Sequence, residues 1–282
     1  LDLLDKQTEL YRNTVPRGAQ TWELGLHSPD LLAAAVMCRA YVYGFELTGD
    51  PGYLEQAEYW ALTGVPFVYL DPVVDDPMLP YATIAVFAAS FWKHSWLKRP
   101  VQWNGIVFAE ALYRLSRYSQ NGPWKKLADG ITGSGLHQLW PATDPVRQGL
   151  LPDYVVLPAV YGSGPAINPA TPQALMPYRF GLPALYDYHV DRQRRWCLHA
   201  PAAIEPAPDS GSACVFSVRP WSPNPFRILV SSVKREPAVV SGTQDANPVP
   251  VRTRYDAALQ RLVLHIPGGD RPKKPITFTI QP

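Results

Sequence analysis

The chain has 282 residues, enough for two domains of ordinary size, and its composition of 46% hydrophobic and 18% charged residues excludes a disordered chain. A net charge of +2 gives no bulk signal for nucleic acid, no run of about 20 apolar residues marks a membrane span, and three Cys do not make a disulfide framework. The charge is unevenly spread: residues 1–190 hold 13 Lys/Arg against 17 Asp/Glu, and residues 191–282 hold 13 against 7, which places a boundary near residue 190.

In chain order, Leu1 to Asn13 reads as a helix, followed by a polar loop from Thr14 to His27. Ser28-Pro29-Asp30 is a helix start, with Ser as N-cap and Pro at the first helical position. The helix that follows is apolar nearly all round as far as Leu47, the pattern of a buried element. Thr48-Gly49-Asp50-Pro51 breaks it and caps an amphipathic helix in which Tyr53, Leu54, Ala57, Trp60 and Ala61 recur at helical spacing. After a loop from Val65 to Pro80, the apolar run Tyr81 to Trp96 is expected to form a second buried helix. An amphipathic helix is predicted over Asn104–Tyr118 and another helix over Trp124–Trp140. Gly130, Gly133 and Gly135 in the latter serve close packing rather than a dinucleotide site.

From Arg195 onward the apolar period changes to two. Strands are predicted at Trp196–His199, Ala213–Val218, Phe226–Val233, Ala238–Ser241, Val249–Tyr255, Leu259–Ile266 and Ile276–Ile280, as in an antiparallel sandwich. The expected domains are therefore a helical region over 1–188 and an antiparallel β-sandwich over 189–282. Cys38 falls in an apolar helix, and Cys197 and Cys214, which flank a turn-rich stretch, either pair in an oxidising compartment or stay free.

The segment Thr48-Gly49-Asp50-Pro51-Gly52-Tyr53-Leu54, continuing through Ala57 to Trp60, resembles the hairpin signature of six-hairpin glycosidase-like proteins. Gln20-Thr21-Trp22-Glu23, Pro80-Tyr81-Ala82-Thr83 and Gln102-Trp103-Asn104-Gly105 look like an uncharacterised branch of that superfamily. The resemblance implies an α+β multidomain chain, with a partial (α/α)6 toroid of helical hairpins before the β-sandwich. Only about three hairpins are counted, so part of the ring is expected to be missing upstream of Leu1. That missing N-terminal part would be a partner of this region, and a signal removed ahead of Leu1 would make the protein secreted or periplasmic.

With alternating helix directions, the loops over Thr14–His27, Val65–Pro80 and Asn121–Pro123 share one face, and the Gln102-Trp103-Asn104 turn falls on the opposite one. Glycoside hydrolysis needs two carboxylates across the scissile bond. On the favoured face Glu23 beside Trp22 is the leading acid, and Asp75 and Asp76 in the longest loop are further catalytic candidates. His27 and Tyr81 are the candidates for proton abstraction in a polysaccharide lyase on the same scaffold. Trp22, Trp124 and Asn168 are the expected substrate-binding residues. There is no GxSxG elbow, P-loop, Rossmann fingerprint or HExxH, and no Cys/His spacing of a zinc site, so neither metal nor cofactor is expected. Three readings stay open: a glycoside hydrolase, a polysaccharide lyase, and a non-catalytic glycan-binding or assembly subunit.

Overall fold

The computed structural model describes residues 1–12, 29–71, 75, 80–87, 95–167, 170–182, 184–207, 211–267 and 274–281. The chain divides into two compact units, Leu1–Arg179 and Phe180–Pro282.

In the first unit, α1 (Asp2–Tyr11) leads to α2 (Leu31–Thr48), α3 (Pro51–Gly64) and a 3-10 turn (Val65–Phe67). The capping residue of α2 is Asp30, whose Oδ1 accepts from the Ala33 N–H at 2.8 Å; Ser28 lies outside the described residues. Gly49 ends α2 at φ 79°, a left-handed conformation that glycine adopts freely. Asp50 then caps α3, and Pro51 takes its first position. Two more helices, α4 (Gln102–Leu115) and α5 (Trp124–His137), precede a hairpin of β1 (Leu151–Val156) and β2 (Tyr161–Ile167). The unit closes on α6 (Ala170–Phe180). By length and composition α2 would span a membrane, yet half of it is buried in this unit, with Leu31, Ala35, Cys38 and Val42 in the core. Burial holds the Cys38 thiol far above its ordinary pKa, so it stays protonated.

The expected toroid is overturned. Among the described residues there are six helices against twelve strands, and the strands form antiparallel sheets; the protein is a β-rich α+β fold, not a ring of hairpins. The critical departure is the run expected to be a buried helix from Tyr81 to Trp96. Its described part over 80–87 is an extended strap. Ala82 and Ile84 pair with the segment after α3, through Tyr69 N–H to Ala82 O (2.8 Å) and Ile84 N–H to Phe67 O (2.9 Å). The strap also receives Leu31 N–H on Ala85 O (3.0 Å) and Val101 N–H on Thr83 O (2.7 Å). A short apolar run buried on both sides suits an extended segment as well as a helix, and the β-branched Thr83, Ile84 and Val86 favour the former.

One consequence is a change of direction. Arg39 meets Glu110, and Glu46 meets Tyr118, so α2 and α4 run parallel, with both N-termini tied to the strap. α5 returns antiparallel to α4: Gln138 meets Gln102, and Asp129 meets Tyr113.

The second unit holds ten strands: β3 (Asp187–Asp191), β4 (Trp196–Ala200), β5 (Ala203–Pro206), β6 (Cys214–Arg219), β7 (Phe226–Ser231), β8 (Val239–Gln244), β9 (Asn247–Val249), β10 (Arg252–Asp256), β11 (Arg261–Ile266) and β12 (Ile276–Gln281). They form two five-stranded antiparallel sheets, in the orders β10-β11-β7-β4-β3 and β5-β6-β12-β8-β9. Alternate residues of both sheets enclose one apolar core, including Leu198, Phe216, Val230, Leu264 and Phe278. Cys197 and Cys214 are both free thiols: Cys214 points into this core from β6, while Cys197 alternates with the buried Trp196 and Leu198 on β4 and faces the other way.

Candidate functional site at the N-terminal ends of two parallel helices

The strap makes one end of the helical unit unusually polar for a buried region. Gln102, at the start of α4, accepts from the Thr83 N–H (3.0 Å) and from Gln138 Nε2 (3.0 Å), and its own amide donates to Ile131 O (2.8 Å) and Tyr81 O (3.3 Å). Ser134 Oγ accepts from the same Gln138 nitrogen. A single glutamine side chain thus fixes the strap to α4 and α5. Tyr81 sits in the strap at φ 62°, a left-handed conformation uncommon outside glycine and one that tends to occur where local structure is over-determined. Its N–H donates to Tyr69 O, and its ring lies where any side chain on Gly130 would have to go, 2.5 Å from an added Cβ.

Next to Gln102, the half-buried Trp103 donates its indole N–H to Asp153 Oδ1 on β1 at 3.2 Å. Gly164 on β2, at φ 76°, lets the hairpin close on this carboxylate: a Cβ there would lie 2.7 Å from the Asp153 Cβ. Tyr154 follows, edge-on to Trp96 with ring centroids 6.1 Å apart and its hydroxyl 3.1 Å from Ser163 Oγ. Pro100 O and Lys98 O accept from Val155 and Leu157, which binds β1 to the stretch that feeds α4. Asn104 is fully buried in the first turn of α4, and among the described residues neither atom of its amide has a hydrogen-bond partner.

The expected face assignment is corrected by these contacts. The Gln102-Trp103-Asn104 turn was placed opposite the loop that feeds α2; because the strap is not a helix, the turn shares an end with the α2 start at Asp30. The helix expected to start at Asn104 starts two residues earlier, at Gln102, with Val101 in the cap position. Of the residues singled out by sequence, Trp22, Glu23, His27, Asp76 and Asn168 lie outside the described residues. Asp75 is exposed, and Tyr81 belongs to the strap. Trp124 is only 3% exposed, with its indole N–H on Ser119 Oγ at 3.1 Å, which leaves its ring faces inside the core. Asp153 gives no clear signal in sequence: Gly149, Pro152 and Asp153 together have the composition of a loop, and it is the pairing with β2 that makes the stretch a strand.

A second charged group joins α2 and α4 further along. Glu110 is ion-paired to both Arg39 and Arg114, and Glu46 accepts from the Tyr118 hydroxyl at 2.9 Å. Burial raises the pKa of the adjacent Tyr43 phenol. These acids are committed to neighbours on the two helices and act as a clamp. Among the described residues no three His, Cys, Asp or Glu side chains converge as a metal site. Compared with known proteins, the sequence matches no family model and no curated protein.

Proposed function

We propose that the chain is a carbohydrate-active enzyme, a glycoside hydrolase that works at the N-terminal ends of α2 and α4. The observation that supports this most is the Trp103–Asp153 pair: a partly exposed carboxylate oriented by the indole N–H of a half-buried tryptophan. Sugar rings stack on aromatic faces, and hydrolysis of a glycosidic bond needs a positioned carboxylic acid and a second carboxylate. Asp153 supplies one. Glu23, just upstream of the α2 start that the strap ties to α4, is the proposed second. A lyase is the second reading, and the constrained backbone of Tyr81 at the same end favours it.

The test is turnover of a panel of neutral and uronate-containing polysaccharides, followed by reducing-end release. Asp153→Asn and Glu23→Gln are each expected to lower hydrolysis on the order of a hundredfold or more. Unchanged turnover in Asp153→Asn would remove that residue from the site. Unsaturated, ultraviolet-absorbing products that disappear in Tyr81→Phe would replace the hydrolase by the lyase, and binding without turnover would leave only a glycan-binding subunit.

A further inference from the structure

The β unit carries a groove of about 910 Å³ between the ends of β7, β10 and β11, walled by Pro201, Pro225, Pro250 and Pro267. Three basic side chains enter it from adjacent strands in register: Arg227 lies opposite His265, and His265 opposite Arg252. All three alternate with residues of the core, so they stand on the outer face of their sheet. None of them is hydrogen-bonded or ion-paired to an acid among the described residues. A smaller pocket shares Pro201, Pro225 and Phe226 with the groove and continues it past Ser222 and Asn224 to Trp221, a tryptophan that is 54% exposed.

We infer that this groove is a binding site for an acidic oligosaccharide, with uronate carboxylates on the Arg227–His265–Arg252 row and a sugar ring stacked on Trp221. Neighbouring strands are about 4.8 Å apart, so the row gathers its donors within reach of a carboxylate lying across the strand ends. Guanidinium groups bind carboxylates through paired, charge-assisted hydrogen bonds, and the large exposed indole suits a sugar face. A nucleic acid would call for cations spread along the whole groove to follow its phosphates; here they gather at one end, with the hydroxyl and amide of Ser222 and Asn224 near the other. The ligand class rests on the carbohydrate reading above, but the site is in the other unit and does not use its residues.

The experiment is calorimetric titration of the full chain with a galacturonate oligomer, a neutral glucose oligomer of equal length and a single-stranded oligodeoxynucleotide. Only the galacturonate oligomer is expected to bind at this groove. Arg252→Gln and Arg227→Gln should each weaken it by tenfold or more, and Trp221→Ala by severalfold, with circular dichroism unchanged from the parent. Binding of the neutral oligomer that weakens equally in these variants, preferential binding of the oligonucleotide, or galacturonate binding indifferent to all three substitutions would overturn the inference. The two proposals separate cleanly: turnover lost in Asp153→Asn with no galacturonate binding sinks this site alone, whereas galacturonate binding lost in Arg252→Gln with no turnover of any glycan sinks the catalytic reading alone.

Discussion

The helical unit and the β unit bury very different things. All ten buried polar or charged side chains among the described residues, from Asp30 and Thr83 to Gln102, Asn104 and Gln138, belong to the helical unit. The core of the β unit is apolar throughout: Phe216 stacks on Phe278 at 5.5 Å, and Ile228, Val230, Leu262 and Leu264 fill the space between the sheets. Burying a polar group is unfavourable unless it is hydrogen-bonded, so a unit that buries many needs partners for them; the strap satisfies Gln102, and through it Gln138, while Glu46, Ser119 and Thr132 are satisfied within or between the helices and their flanks. The difference teaches where to look for function: the β unit is stabilised by plain alternation, while the helical unit departs from local preference at the end where Trp103 and Asp153 meet.

That contrast can be broken by substitution. The largest effect is expected in the sandwich, where Phe278→Ala opens a cavity beneath Phe216 and should destabilise the β unit by about 4 kcal/mol, read from urea unfolding. Gln102→Leu removes an acceptor from both Thr83 N–H and Gln138 and a donor from Ile131 O, and should cost the helical unit about 3 kcal/mol. If the loss were negligible, the network would not be what holds the strap. Asn104→Leu should behave oppositely. Its buried amide already lacks partners, so an apolar side chain of similar size is expected to leave stability unchanged or raise it by about 1 kcal/mol; a marked loss would mean the amide is satisfied in solution.

The smallest effect is a pH dependence in the β unit. His199, with Cys197 Sγ 3.3 Å from its Nε2 and the Tyr186 hydroxyl 2.6 Å from its Nδ1, has its pKa lowered by burial. The unfolded chain then binds the proton more readily. The neutral imidazole's contribution is whole above the ordinary histidine pKa of about 6.5, and it is lost as pH falls through the lowered value. His199→Gln should flatten this part of the curve of unfolding temperature against pH, and an unaltered slope would assign it to other groups.

Much of the β unit was legible because strand burial has a period of two: Cys214, Phe216 and Val218, or Ile276, Phe278 and Ile280, announce their face directly. The short edge strands Ala203–Pro206 and Asn247–Val249 were not, since they bury too little to leave a pattern. In the helical unit the Gly49-Asp50-Pro51 break was legible from its capping chemistry. The strap was not, because Ala82 to Val86 is apolar at every position and carries no period to separate helix from strand. That one ambiguity reversed the direction assigned to α4 and so moved Trp103 to the wrong end. Asp153 was hidden for a related reason: its partner is fifty residues away, and it is the pairing of β1 with the stretch before α4 that brings the two together.

The most direct measurement follows the indole N–H resonance of Trp103, identified by its absence in Trp103→Phe, while oligosaccharides of the panel above are titrated in. That N–H is held by Asp153, so a sugar bound at this end should shift it, and Asp153→Asn should abolish turnover while the fold is retained. A Trp103 resonance that stays still through saturation, with turnover intact in Asp153→Asn, would place the chemistry elsewhere in the molecule.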